Sequence, residues 1–144
     1  VGRPWVDQEL MCAAAFQGNV VCMNVQNGRL VWNAKVDAVT GPLADGRLVY
    51  EVDDASRIHA FNRQNGREAW VNRSASAPIR VGTSLAFGDY EGNITFLDPA
   101  TGTPVARTKL SGAVTTPAAQ YGYGAVFQTV EGDVAYVVEG ADSE

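Results

Sequence analysis

The residues able to do chemistry are few. His59 is the only histidine among 144 residues, and a histidine works as a general base only beside a nucleophile and an orienting partner. Glu51, Asp53 and Asp54 invite a calcium reading. Calcium, however, takes about six to eight oxygens from a fixed loop, and the Asp-x-Asp-x-Asp-Gly order that supplies them is missing. These carboxylates therefore read as part of a solvated loop. Cys12 and Cys22 are the only cysteines, too few for a metal quartet or a disulfide framework. Gly88-Asp89-Tyr90 and Gly122-Tyr123-Gly124 read as turns rather than phosphate cradles, because no helix follows to present its N-terminus. Neither a catalytic set, a metal nor a cofactor is expected.

The elements that must position these residues come from a repeat. Gln26-Asn27-Gly28-Arg29-Leu30-Val31-Trp32 returns thirty-eight positions later as Gln64-Asn65-Gly66-Arg67-Glu68-Ala69-Trp70. A weaker copy, Ala100-Thr101-Gly102-Thr103-Pro104-Val105-Ala106, follows after a step of thirty-six. A period of roughly 35–45 residues built from short strands marks a β-propeller. Each copy begins with a proline-bearing strand A: Arg3 to Val6, Gly41 to Ala44, Ala77 to Arg80, Thr116 to Ala119. Strand B follows at Leu10 to Phe16, Leu48 to Val52, Ser84 to Phe87 and Ala125 to Thr129. Strand C is Asn19 to Asn24, Arg57 to Asn62, Asn93 to Asp98 and Asp133 to Val138. Turns at Asn27-Gly28, Asn65-Gly66 and Thr101-Gly102 then lead into strand D, with glycine supplying the positive φ that a tight turn demands.

No sustained 3.6-residue apolar pattern occurs, so the chain reads as all-β. Strand C is apolar on both faces, with Val20, Cys22, Ile58, Ala60, Ile94, Phe96, Val134 and Tyr136 on one, and Met23, Phe61, Leu97 and Val137 on the other. Such sheets must be covered on both sides, as stacked blades are. The blade units span about 1–36, 37–73, 74–110 and 111–144, and the fourth has strands A, B and C only. The expectation is a partial β-propeller, either a piece of a larger ring or one completed by another chain. Two bare blade faces would then call for self-association or for the missing propeller half.

The same register places the reactive residues. His59 stands where the other copies have Val21, Thr95 and Ala135, the position of a packed or partly exposed inter-blade histidine. Cys12 lies on strand B and Cys22 on strand C of one hairpin. A three-residue turn would make them diagonal neighbours on one face; a two-residue turn would set them on opposite faces. A disulfide needs close, well-directed Cβ atoms, and two buried thiols are the expectation.

Composition narrows the function classes. Hydrophobic residues make up 46% and charged residues 19%, with a formal net charge of −5. That is enough for a core, and without clustered Lys and Arg it disfavours nucleic acid. No apolar run is long enough for a transmembrane helix. The chain starts at Val1 with no charged and apolar leader, so any targeting segment is expected to lie outside it.

The turn-and-tryptophan unit carries a resemblance. Cys22-Met23-Asn24 through Trp32 is similar to the pattern Ala-x-Asp-x-x-Thr-Gly-x-x-x-Trp of pyrroloquinoline-quinone-type propeller repeats, and Ala60-Phe61-Asn62 through Trp70 fits again. Phe96-Leu97-Asp98-Pro99-Ala100-Thr101-Gly102 keeps the Asp and Thr-Gly but has Ala106 in place of tryptophan. The resemblance implies that Gly28, Trp32, Gly66, Trp70 and Gly102 are structural anchors of the repeat, the tryptophans docking on a neighbouring blade. Within this class the chain resembles the BamB-like family, propeller lipoproteins of the outer-membrane β-barrel assembly machinery. Ala13 to Val20, Phe87 to Ile94 and Glu131 to Tyr136 carry that likeness, and it would correspond to the C-terminal half of such a protein.

The likeness implies a non-enzymatic periplasmic scaffold, lipid-anchored in the full protein, that binds the periplasmic domains of BamA. In the family, acidic residues just upstream of one strand-A proline help make that contact; here the stretch would fall at or before Val1, ahead of Pro4. The family's compartment is oxidising, where free thiols persist only if buried. A fragment of a quinone-dependent dehydrogenase is the first alternative, though the adjacent cysteine pair often found in those enzymes is missing. A propeller sensor domain of a bacterial kinase is the second.

Overall fold

The computed structural model describes residues 2–15, 18–73, 76–116 and 118–139. Phe16, Gln17 and Pro117 of the expected strands and turns lie outside them, as do residues 1, 74–75 and 140–144 of the expected blade units. All regular elements among the described residues are β-strands, and the chain divides into two compact units, Val1–Arg73 and Ser74–Glu144.

The first unit holds two antiparallel sheets. One runs in chain order through β1 (Trp5–Val6), β2 (Leu10–Ala15), β3 (Asn19–Asn24) and β4 (Leu30–Lys35). The other runs through β5 (Leu43–Ala44), β6 (Leu48–Val52), β7 (Arg57–Asn62) and β8 (Glu68–Arg73). The second unit repeats the plan with β9 (Ile79–Val81), β10 (Ser84–Gly88), β11 (Asn93–Leu97) and β12 (Pro104–Lys109). Its other sheet has three strands among the described residues, β13 (Ala119–Tyr121), β14 (Gly124–Gln128) and β15 (Val134–Val138). Each is a four-stranded propeller blade or most of one. Strand A is shorter than its sequence segment and shifted toward the C-terminus in the second unit, where β9 ends at Val81 and β13 shares only Ala119 with the expected Thr116 to Ala119. It begins just after Pro4, Pro42 and Pro78, because proline has no N–H to give the ladder.

The turns repeat because their chemistry does. Asn24 Oδ1 accepts the amides of Gln26 and Asn27, and Asn62 Oδ1 those of Gln64 and Asn65. Asp98 Oδ1 accepts that of Ala100. Such Asx turns satisfy loop amides within a few residues. A bulge follows at the same place in three sheets, between Cys22 and Met23, Ala60 and Phe61, and Phe96 and Leu97. It re-aims strand D so that Trp32 pairs with Cys22 and Trp70 with Ala60; this is what a bulge does to a side chain. The B–C turns place Gly18, Gly92 and Gly132 at φ 80°, 91° and 98°. Ser56 takes the same role in the second sheet at φ 61°, a conformation that costs a residue with a Cβ.

The cores are layered between sheets. In the first unit Leu10, Cys12, Val20, Cys22 and Trp32 of one sheet close on Ala44, Val49 and Phe61 of the other. In the second, Val81, Ala86, Ile94 and Phe96 close on Ala125 and Phe127, with Val114 between. Strands β6 and β10 are buried along their whole length. β15 departs from the two-faced burial expected of strand C, since Val134 and Tyr136 are 66% and 53% exposed.

The two cysteines are a disulfide, not thiols. Ala15 pairs with Asn19 across the turn, which makes Cys12 and Cys22 directly opposed rather than diagonal. Their Cα atoms are 4.1 Å apart, the close spacing of opposed residues in an antiparallel pair. Both are fully buried.

Candidate functional site

In the first unit the repeat tryptophan is a bridge between sheets. The Trp32 indole lies flat over Gly66, where a Cβ would stand 2.7 Å from ring carbons. Its Nε1 donates to the Arg63 carbonyl at 2.7 Å, and its ring meets Phe61 with centroids 5.9 Å apart. Gly66, at φ 74°, is thus required twice, by the turn and by the ring above it. Gly28 has the same turn geometry at φ 70°, and among the described residues nothing lies within 4 Å of where its Cβ would be. Trp70 meets Tyr50 within its own sheet at 5.9 Å. Gly102, at φ 73°, donates its amide to the Asp98 carbonyl.

The residue that opens the C–D turn grips the preceding sheet in both units. Arg63 donates to the carboxylate of Asp7 in the A–B turn of the first sheet. It also donates to the Asp45 carbonyl at 2.9 Å and covers the Trp5 ring at 5.2 Å. Glu139 occupies the matching position of the last sheet. Its carboxylate accepts the Thr83 amide and hydroxyl, each at 2.6 Å, and the Ser84 hydroxyl at 3.1 Å. Hydrogen bonds from Thr83 hold the Glu139 carboxyl below its ordinary value. These clamps have opposite charge and different partners but come from the same position of the repeat. Sequence reasoning missed both, and the signal was a departure from the repeat: Arg63 and Glu139 align with Val25 and Pro99.

His59 joins two strands and a turn. Its Nε2 lies 2.7 Å from Asp53 Oδ2 and its Nδ1 2.6 Å from Glu68 Oε2. An ionised carboxylate only accepts, so both bonds form together only on the doubly protonated ring. The ring also stacks on Phe61 at 5.9 Å. Asp53 accepts from the Ala55 and Arg57 amides and from the Arg57 guanidinium at 2.7 Å. Burial pushes the Asp53 carboxyl up, but the hydrogen bonds from His59, Arg57 and Ala55 outweigh it and hold it down at about 2. Beside this group a cleft of about 140 Å³ runs between Lys35–Asp37 and the β6–β7 turn. It mixes Lys35 and Arg57 with Asp37 and Asp54, favouring neither sign of ligand. Among the described residues no cluster of three or more His, Cys, Asp or Glu is placed to hold a metal ion.

The solvated-loop reading of these carboxylates is corrected. Glu51 is 1% and Asp53 3% exposed, and only Asp54 faces water. Glu51 lies in β6 opposite His59, where the other copies have Ala13, Phe87 and Phe127. Its Oε1 accepts from the Thr40 hydroxyl at 2.9 Å and the Val52 amide at 3.1 Å, and among the described residues its Oε2 has no partner. Burial drives the carboxyl from an ordinary 4.5 up to about 7, against the lowering by those two bonds.

The fold therefore keeps the Glu51 proton over a range where an unfolded chain releases it. Stability is greatest below about pH 4.5 on this account and falls as pH rises to about 7. Glu51→Gln is expected to flatten that slope and to stabilise the protein by on the order of 2 kcal/mol at pH 8. Urea midpoints measured across this range check it; an unchanged slope in the variant would refute the assignment.

The last sheet presents an aromatic face. Tyr121 and Tyr136 meet edge to face at 6.2 Å, and the Tyr136 hydroxyl donates to the Tyr121 carbonyl at 3.1 Å. Both rings are exposed, as are Tyr123 and Val134 in the same part of the chain, and exposed aromatic pairs of this kind mark contact surfaces.

Known proteins share this family and this fold. A family model described as outer membrane protein assembly factor BamB matches residues 1–72. The outer membrane protein assembly factor BamB of Bordetella pertussis (strain Tohama I) is 34% identical, over 95% of this chain and 37% of its own length. The crystal structure of BamB from Moraxella catarrhalis superposes with a TM-score of 0.84 and 24% identity, over 94% of this chain and 42% of that one. Quinohemoprotein alcohol dehydrogenase from Comamonas testosteroni reaches a TM-score of 0.62 at 20% identity, over 75% of this chain and 20% of its own. The last two likenesses are of fold, that of a partial β-propeller. The chain thus spans well under half the length of these relatives.

Proposed function

The chain belongs to the family of outer membrane protein assembly factor BamB, and on that footing we propose that it forms part of a non-enzymatic scaffold for assembling β-barrel proteins into the outer membrane. Its partner in this reading is BamA, bound through the periplasmic domains, at the periplasmic face of that membrane. The mechanism is presentation. Sheets clamped by Trp32, Arg63 and Glu139 hold short loops in fixed positions, and no bond is made or broken.

Family membership carries the proposal, and the Cys12–Cys22 disulfide supports it, since such bonds persist in oxidising compartments such as the periplasm. We assign the open face of Tyr121 and Tyr136 to contact with further propeller blades, from the rest of a longer protein or from a second copy. The quinone-enzyme alternative rests on a likeness of fold alone.

The test is titration of the chain with the periplasmic domains of BamA, followed by calorimetry. Saturable binding is the expected result. Lack of binding together with dehydrogenase turnover on added quinone and calcium would overturn the scaffold reading.

A further inference from the structure

One tetrapeptide occurs twice in different surroundings. Gln26-Asn27-Gly28-Arg29 and Gln64-Asn65-Gly66-Arg67 are identical and share one local fold. Gly28 and Gly66 have φ of 70° and 74°. Their amides donate to the Asn24 and Asn62 carbonyls at 2.8 Å in both cases. The Oδ1 atoms of Asn27 and Asn65 accept from the Arg29 and Arg67 amides, again at 2.9 Å in both. The difference is what covers the glycine. Gly66 lies under the Trp32 indole, whereas Gly28 is exposed and, among the described residues, has nothing within 4 Å of its missing Cβ.

We propose that Asn27 is a site of spontaneous succinimide-mediated deamidation, and that the Trp32 indole protects Asn65 from the same reaction. The Gly28 amide nitrogen gives its proton to solvent and attacks the Asn27 side-chain carbonyl carbon. A carbon–nitrogen bond forms, and the side-chain amide leaves as ammonia after taking up a proton. Water then opens the ring at either carbonyl, leaving aspartate or isoaspartate. The balance is asparagine plus water to aspartate plus ammonia, with no oxidant or reductant.

Glycine makes both sites reactive, because no side chain shields its nitrogen. Attack requires the turn to open, so that the glycine amide releases its carbonyl and the asparagine side chain releases the following amide. The asparagine side-chain bond is on the surface at both sites, and at Asn27, where Gly28 is also exposed, water replaces the bonds that open. At Asn65 the opening must also lift the indole, break its 2.7 Å bond to the Arg63 carbonyl and expose a ring that is 5% exposed. Local openings are graded by such contacts. Each additional ~1.4 kcal/mol of opening cost slows the reaction about tenfold.

The test incubates the 144-residue chain in heavy-oxygen water at mildly alkaline pH and follows tryptic peptides by mass spectrometry. Cleavage at Arg29, Arg63 and Arg67 puts the two asparagines on separate peptides. Asn27 is expected to convert roughly tenfold faster than Asn65 or more, and the ratio is expected to collapse toward one in the urea-unfolded chain. Equal native rates, a faster Asn65, or a native Asn27 that stays intact while the unfolded chain converts would overturn the proposal. Trp32→Phe should raise the Asn65 rate and leave Asn27 unchanged. Should that variant not fold, amide hydrogen exchange of the unaltered chain decides: the Gly28 amide must exchange faster than the Gly66 amide, and the reverse order refutes protection by the indole.

Discussion

Replacing Trp32 by alanine is expected to destabilise the Val1–Arg73 unit by about 3–5 kcal/mol, the cost of emptying an aromatic site in a packed core. The residue is 5% exposed and belongs to the cluster that joins the two sheets of this unit. Its loss removes the ring contact with Phe61, uncovers Gly66 and strips the Arg63 carbonyl of its donor. Trp32→Phe keeps most of the apolar area and drops the N–H, so a smaller loss of about 1–2 kcal/mol is expected from the hydrogen bond and the reduced ring. The reciprocal change, Gly66→Ala, drives a Cβ to 2.7 Å from the indole at a φ that disfavours it. Gly28→Ala serves as the control, because it meets the φ penalty without the clash. Urea unfolding followed by tryptophan fluorescence measures all four. A loss under about 1 kcal/mol for Trp32→Ala would show that the bridge does not hold the sheets together.

Removing the Cys12–Cys22 disulfide is expected to cost about 2–4 kcal/mol. The bond lies between directly opposed residues of β2 and β3, and both cysteines are fully buried against Trp32 and Leu10. The enclosed loop is short, the cysteines standing ten positions apart in sequence, which places the entropic part toward the lower end of that range. Cys12→Ala with Cys22→Ala should lose the cross-link and a little packing. Replacing both by serine should cost more, because two hydroxyls would be buried among apolar side chains. Thermal unfolding with and without reductant, beside the two double variants, separates the contributions. Thiol titration of the denatured, unreduced protein should find no free cysteine; two free thiols would refute the assignment.

Much of the fold is legible from the chain because it is built from local chemistry. The turn residues Asn24, Asn62 and Asp98 bond amides only two or three positions away. Strands B and C follow from the apolar, β-branched runs between such turns, and β3, β6 and β7 have the bounds those runs predict. Strand A starts later than its segment in every sheet and runs past it to Val81 and Tyr121 in the second unit, because a proline says where pairing cannot occur, not how far it extends.

The reactive residues were harder to place. Cys12 and Cys22 became a disulfide through a register that depends on how the B–C turn is built, and a shift of one residue changes which side chains face each other. Glu51 and Asp53 read as solvated because carboxylates usually are; burial depends on the sheet packed against them, which is remote in sequence.

By itself the sequence determined the period, the turns, the all-β class and the family, since each rests on residues within one blade. Only the tertiary structure decided that Arg63 reaches Asp7 and Glu139 reaches Thr83, each across fifty-six positions. It also decided that Gly66 is covered while Gly28 is not. The physical reason is range. Hydrogen bonds within a turn are dictated by neighbouring residue types, whereas a clamp between sheets requires two surfaces to meet, and no local pattern specifies which surfaces those will be.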